Sequence, residues 1–149
     1  MRHPAQLKSK YKQEKKKLFK KLAKSNNGFY FNQKHTDLVD TIVKDIVSEI
    51  KKTYAVEDFT LIAVGGYGRE DLSPKSDVDL LFVYKKSNKH LRGFITQLNN
   101  TLWDIGLEVG ISFLTIKQAL IDSKKDIKTI TKFIAVSYTH LRAHETLTD

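Results

Sequence analysis

Cysteine is absent from the 149 residues, which removes disulfides and thiolate metal sites and fits a reducing compartment. Proline occurs twice and glycine seven times, too seldom for a collagenous, Pro-rich or low-complexity chain. No apolar run approaches the roughly 20 residues that a membrane-spanning helix needs. The lysine-rich start also lacks the apolar stretch of a signal peptide. These absences lead to the expectation of a cytoplasmic, non-membrane protein. The length suits one domain with a real core and not two of ordinary size.

Positive charge is plentiful and unevenly placed. The formal net charge is +9, and residues 1–24 hold ten of the 26 Lys and Arg but only one of the 17 acids, Glu14. The rest of the chain therefore sums to zero, and the basicity belongs to an N-terminal arm, residues 1–28, not to the domain. In that arm Leu7, Tyr11, Leu18 and Leu22 recur at helical spacing before a Ser-Asn-Asn-Gly breaker. A thin apolar stripe on a lysine helix reads first as a solvated, partly frayed leader. Its alternative reading is a contact for RNA, an acidic protein or a membrane surface; nucleic acid is not the expected partner of the domain.

Beyond the breaker, Thr36 or Asp37 can cap a helix whose apolar positions run Leu38, Val39, Ile42, Val43, Ile46, Val47 and Ile50. FTLIAV, Phe59 to Val64, reads as a buried strand ending at Gly65 and Gly66, and DVDLLFVY from Asp77 as a second. Helical spacing returns from His90 to Ile105, with Gly106 as its stop. LEVGISFLT, Leu107 to Thr115, reads as a third strand with Glu108, Gly110 and Ser112 on its non-apolar face. Two short helical patterns follow, IKQALIDSK and DIKTITKFIA. This alternation predicts an α/β or α+β domain with a small mixed sheet flanked by helices.

The chemistry lies in VGGYGREDLSPKSDVDLLFVY, Val64 to Tyr84. Residues two apart on a strand share a face, so Asp77 and Asp79 are expected side by side, with Val78, Leu80 and Phe82 on the other face. Adjacent half-buried carboxylates repel each other unless a cation neutralises them, and hard oxygen ligands at this spacing suit Mg²⁺ together with substrate phosphates. Gly65, Gly66 and Gly68 let the backbone approach a ligand, and GREDL is expected to begin a short helix favouring an anion, with the charge of Arg69 nearby. A glycine turn or an Asp-x-Asp alone is weak evidence, since aspartates at the head of a strand also cap turns. Their succession is far more specific.

GGYGREDLSPKSDVDLL resembles the signature of the DNA polymerase β type nucleotidyltransferase superfamily. With WDIGLEVG, Trp103 to Gly110, it is similar to the N-terminal catalytic domain of the bacterial PII uridylyltransferase/uridylyl-removing enzymes. The similarity runs from about Asp37 to about Ala135. It implies a polymerase-β-like core over residues 29–135, shortened on its C-terminal side, with Gly65 and Gly66 at the nucleotide-phosphate turn. Gly68, Arg69 and Ser76 are the further nucleotide-binding candidates. Asp77, Asp79 and Glu108 are implied as catalytic carboxylates holding two Mg²⁺ ions. Asp104 competes with Glu108, but its place beside Trp103 at a helix end suits a cap or a surface role.

The resemblance further implies UTP as nucleotide donor and a tyrosine of the PII signalling protein as acceptor. Two departures stand out: Arg69-Glu70-Asp71-Leu72 replaces Gly-Arg-Gly-Glu-Leu, and Ile111 to Leu114 replace a His-Ser stretch followed by Arg. The family enzymes continue into a helical extension, a metal-dependent phosphohydrolase domain and ACT domains. Residues 136–149, VSYTHLRAHETLTD, instead resemble translated sequencing-adapter DNA, and the expectation is a truncated gene with a non-native end. The alternatives are the same fold without activity, and a binding module acting through its basic arm.

Overall fold

The computed structural model describes residues 4–56 and 59–125. Helix α1 (Pro4–Ser25) is followed by α2 (Gly28–Thr53), strand β1 (Phe59–Val64), the one-turn α3 (Gly65–Gly68), β2 (Val78–Tyr84), α4 (Lys89–Ile105), β3 (Val109–Thr115) and α5 (Ile116–Lys125). The strands form one sheet in the order β1-β2-β3. β1 and β2 are antiparallel, with Val64 opposite Asp79, whereas β2 and β3 are parallel, with Asp79 opposite Gly110. The mixed sheet follows from connectivity: a loop folds β1 back onto β2, while α4 carries the chain over so that β3 can run alongside.

α2 and α4 pack their apolar stripes on one sheet face. Val39, Ile42, Val43, Ile46, Phe94, Leu98 and Leu102 join Leu61, Leu80 and Phe82 in the main core. Phe59 lies 5.0 Å from both Phe82 and Phe94, centroid to centroid. The opposite face is also apolar beyond its carboxylate end, with Ile62, Val64, Leu81 and Val83 buried against Leu114 and Ile116. No helix among the described residues is long and apolar enough to cross a membrane.

Three sequence expectations shift. The arm is not a solvated leader: Leu7 and Tyr11, one helical turn apart, are only 2% and 5% exposed and belong to the main core. α2 starts eight residues before Thr36, capped by the Asn27 side chain, which accepts from Tyr30 N at 3.1 Å. Phe31 and His35 extend its buried stripe, and the Thr36 hydroxyl donates to Asn32 O at 2.8 Å instead of capping. The short helix expected from GREDL lies at Gly65–Gly68 itself, leaving Arg69 at its C-terminal end. Gly65, at φ +63°, turns the chain directly out of β1, which a residue with a Cβ resists. DIKTITKFIA from Asp126, and residues 136–149, lie outside the described residues.

Candidate active site

The Gly65–Gly68 turn and the head of β2 meet at Asp79. A Cβ placed on Gly65 would stand 3.2 Å from Asp79 Oδ2, and one on Gly110 would stand 3.3 Å from Oδ1. The Asp79 carboxylate is thus flanked by bare backbone on both sides, on the sheet face opposite Val78 and Leu80. Asp77 precedes the strand, and both aspartates are exposed. Arg69 folds back over the turn, its guanidinium 4.0 Å from where a Gly66 Cβ would sit. Gly68 closes the turn and is buried. The two glycines keep side chains away from the Asp79 oxygens, and this exposed carboxylate, with exposed Asp77 two residues ahead of it, fits a hard divalent cation such as Mg²⁺.

The turn is anchored from below. Tyr67 is fully buried, and its hydroxyl donates to Asp40 Oδ1 on α2 at 2.6 Å. Burial pushes the Asp40 carboxyl up to about 6, against the opposing pull of that hydrogen bond and of Lys44. The loop from the turn to β2 is also tied to α2: Asn32 Nδ2 donates to Asp71 Oδ1 at 2.7 Å and Leu72 N to Thr36 Oγ1 at 3.2 Å. His35 Nδ1 stands 3.0 Å from Leu72 O. A carbonyl only accepts, so Nδ1 carries the proton and Nε2 accepts from the Tyr11 hydroxyl at 2.9 Å. Burial holds the His35 pKa down and pushes the Tyr11 hydroxyl up to about 12, so both remain neutral. Ser73 and Ser76 then close a tight turn around Pro74, with Ser76 N donating to Ser73 O at 3.1 Å and the two hydroxyls bonded to each other.

Glu108 is placed differently from Asp79. The chain leaves α4 through Gly106 at φ +103°, and Leu107 N still donates to Leu102 O at 3.1 Å, a Schellman exit. β3 starts at Val109, and the alternation of burial runs back past it, with Leu107 and Val109 in the core and Glu108 and Gly110 exposed. The Glu108 carbonyl accepts from Val78 N at 2.8 Å, and Glu108 lines a cleft with Tyr11, Lys15, Lys75 and Ser76. Among the described residues, no three His, Asp or Glu side chains come together as a metal-holding group. The structure therefore brings Gly65, Gly66, Arg69 and Asp79 together beside Asp77, and sets Glu108 and Ser76 in the neighbouring cleft.

Residues 40–136 match the family described as nucleotidyltransferase domain. The chain belongs to that family. Among its relatives are bifunctional uridylyltransferase/uridylyl-removing enzymes. That of Pseudomonas aeruginosa (strain UCBPP-PA14) is 44% identical over 79 residues, covering 50% of this chain and 8% of its own. That of Haemophilus influenzae is 33% identical over 111 residues, 74% and 13% of the two chains. The Rhodospirillum rubrum enzyme is 39% identical over 84 residues, 55% and 9%. This nucleotidyltransferase chain thus spans about a tenth of the length of the curated relatives it matches.

Asn32, His35, Asp40 and Tyr67, which hold the site loop, did not stand out in the sequence, and Tyr11 did so only as part of the apolar stripe of the arm. The available signals were an aromatic between glycines at Tyr67 and the i, i+4 pair Phe31 and His35 ahead of a strong apolar stripe.

Proposed function

We propose that the chain catalyses Mg²⁺-dependent transfer of UMP from UTP to a tyrosine hydroxyl of the PII signalling protein in the cytoplasm, releasing pyrophosphate. The observation that carries this reading is the Asp79 carboxylate set between Gly65 of the turn and Gly110 of β3, with Asp77 beside it. The names of the relatives support the choice of uridylyl group. In the reaction the tyrosine oxygen forms a bond to the α-phosphorus, the bond from that phosphorus to the bridging oxygen breaks, and pyrophosphate leaves with that oxygen. The hydroxyl proton passes to solvent or to an adjacent carboxylate.

Asp77 and Asp79 would hold the metal, which when bound supplies charge neutralisation for the triphosphate and a lowered pKa for the attacking hydroxyl. The glycine turn lets backbone amides approach the phosphates, and Arg69 adds a cation over that turn. Tyr67 and Asp40 keep the turn in place from below. Glu108, the third carboxylate implied by resemblance, enters no step here.

The test is pyrophosphate release from UTP with PII and Mg²⁺. The wild-type chain is expected to be active, and the double substitution Asp77→Asn with Asp79→Asn to be slower by about 10³-fold or more, as when transition-state charge stabilisation is removed. Equal rates for wild type and a folded double variant would overturn the assignment.

A further inference from the structure

Behind the Ser73–Ser76 turn lies a cleft of about 360 Å³, walled by α1, α2, the turn, Val78 at the head of β2 and the exit of α4. It is distinct from the face that carries Asp79, because Val78 points to the helix side and joins the main core while Asp79 points to Gly65 and Gly110. We propose that this cleft binds a small anion, a phosphate or a carboxylate, between Lys15 and Lys75, with the Ser76 hydroxyl donating to it.

The charges in the cleft support this directly. Lys15 is half-buried, yet the ion pairs among the described residues are Lys17–Glu14 and Lys52–Glu49, and neither Lys15 nor Lys75 takes part in one. Lys15 Nζ stands 5.4 Å from the centroid of the Tyr11 ring, and Glu108 shares the cleft with it without an ion pair. Partly burying an ammonium that makes no ion pair is unfavourable, and burial lowers the Lys15 pKa against the opposing field of Glu108. A bound anion would relieve that cost.

The remaining walls are already set. Tyr11 and His35 are bonded to each other and to Leu72 O, so they shape the cleft without competing for a ligand. Ser76 Oγ can accept from Ser73 and still donate outward. Glu108 limits the net charge of the pair of lysines and can accept from a hydroxyl or ammonium elsewhere on the ligand. Ser76 is bonded into the turn directly before Asp77, so an anion held here would set the segment that delivers Asp77 to the other face. The site would then act as an effector site, and it stands whether or not the chain transfers UMP.

The experiment titrates the ¹⁵N-labelled full chain with inorganic phosphate and, separately, with malonate at constant ionic strength, followed by NMR. Saturating shifts are expected at Lys15, Lys75, Ser76 and Glu108. Lys15→Gln and the more exposed Lys75→Gln should each weaken binding by about tenfold, the scale of one lost charge-assisted hydrogen bond, while Asp79→Asn should bind as wild type. Saturation by phosphate alone would assign a phosphate-bearing ligand, and saturation by malonate a carboxylate; either supports the site. Shifts that do not saturate, that spread evenly over the α1 lysines, or that follow the Gly65–Arg69 turn would overturn it.

Discussion

On the outer face of the sheet Asp79 rests between two glycines, whereas Glu108, just ahead of β3, shares a cleft with two lysines. Backbone surrounds the first acid, which leaves space for a metal and the phosphates it would carry. Basic side chains surround the second, which reduces its need for a metal. Acids that a sequence presents as partners can therefore stand in different surroundings, and the setting of each decides its chemistry.

The largest effect that could break this comparison is in turnover. Asp79→Asn is expected to slow pyrophosphate release by about 10²–10³-fold and Glu108→Gln by less than about tenfold. Equal losses would return Glu108 to the metal site. Next comes Gly65→Ala, which adds a Cβ at positive φ and against the Asp79 carboxylate. It should cost about 1–3 kcal/mol of stability and a larger part of the activity, whereas Gly110→Ala, with the same crowding but no such backbone strain, should cost less. Urea denaturation of both variants beside the rate assay separates the two effects.

Tyr11→Phe probes the helix face. It leaves His35 Nε2 without its donor, at a cost of about 1–2 kcal/mol, and should speed hydrogen exchange in residues 70–76 while leaving Gly65 and Gly66 protected. A further effect is in pH dependence. Asp40 titrates at about 6 in the folded chain, above its ordinary value of 3.8, so the folded state holds its proton more tightly and stability falls as pH rises from about 4 to 6. The lowered His35 pKa acts oppositely, with stability falling as pH drops below the ordinary 6.5. Asp40→Asn removes the first trend only, so its melting temperature relative to wild type should climb between pH 4 and 6 and then level off.

Local pattern was enough for the elements that are stiff on their own. β1 occupies Phe59–Val64 as its β-branched run predicts, and α4 ends at Gly106 because only a residue tolerant of φ +103° suits that exit. The Asp-x-Asp segment was legible because Val78, Leu80 and Phe82 alternate against it. Glu108 was legible as an exposed acid between buried Leu107 and Val109, whereas the lysines that share its cleft come from α1 and from the turn before Asp77, out of reach of that local pattern. The packing of α1 was hidden because lysines outnumber its apolar residues, although Leu7 and Tyr11 are buried and Phe19 packs on Phe31 of α2 at 5.1 Å. The hydrogen bonds from α2 to the site loop span 27 to 39 residues, beyond the reach of any local pattern.

The most direct test of the outer face as the metal site is paramagnetic broadening of backbone amide signals by Mn²⁺ used in place of Mg²⁺. Broadening centred on Gly65, Asp77, Asp79 and Gly110, and lost in Asp79→Asn, is the result predicted. Broadening centred on Lys15, Lys75 and Glu108, unchanged in Asp79→Asn, would contradict it.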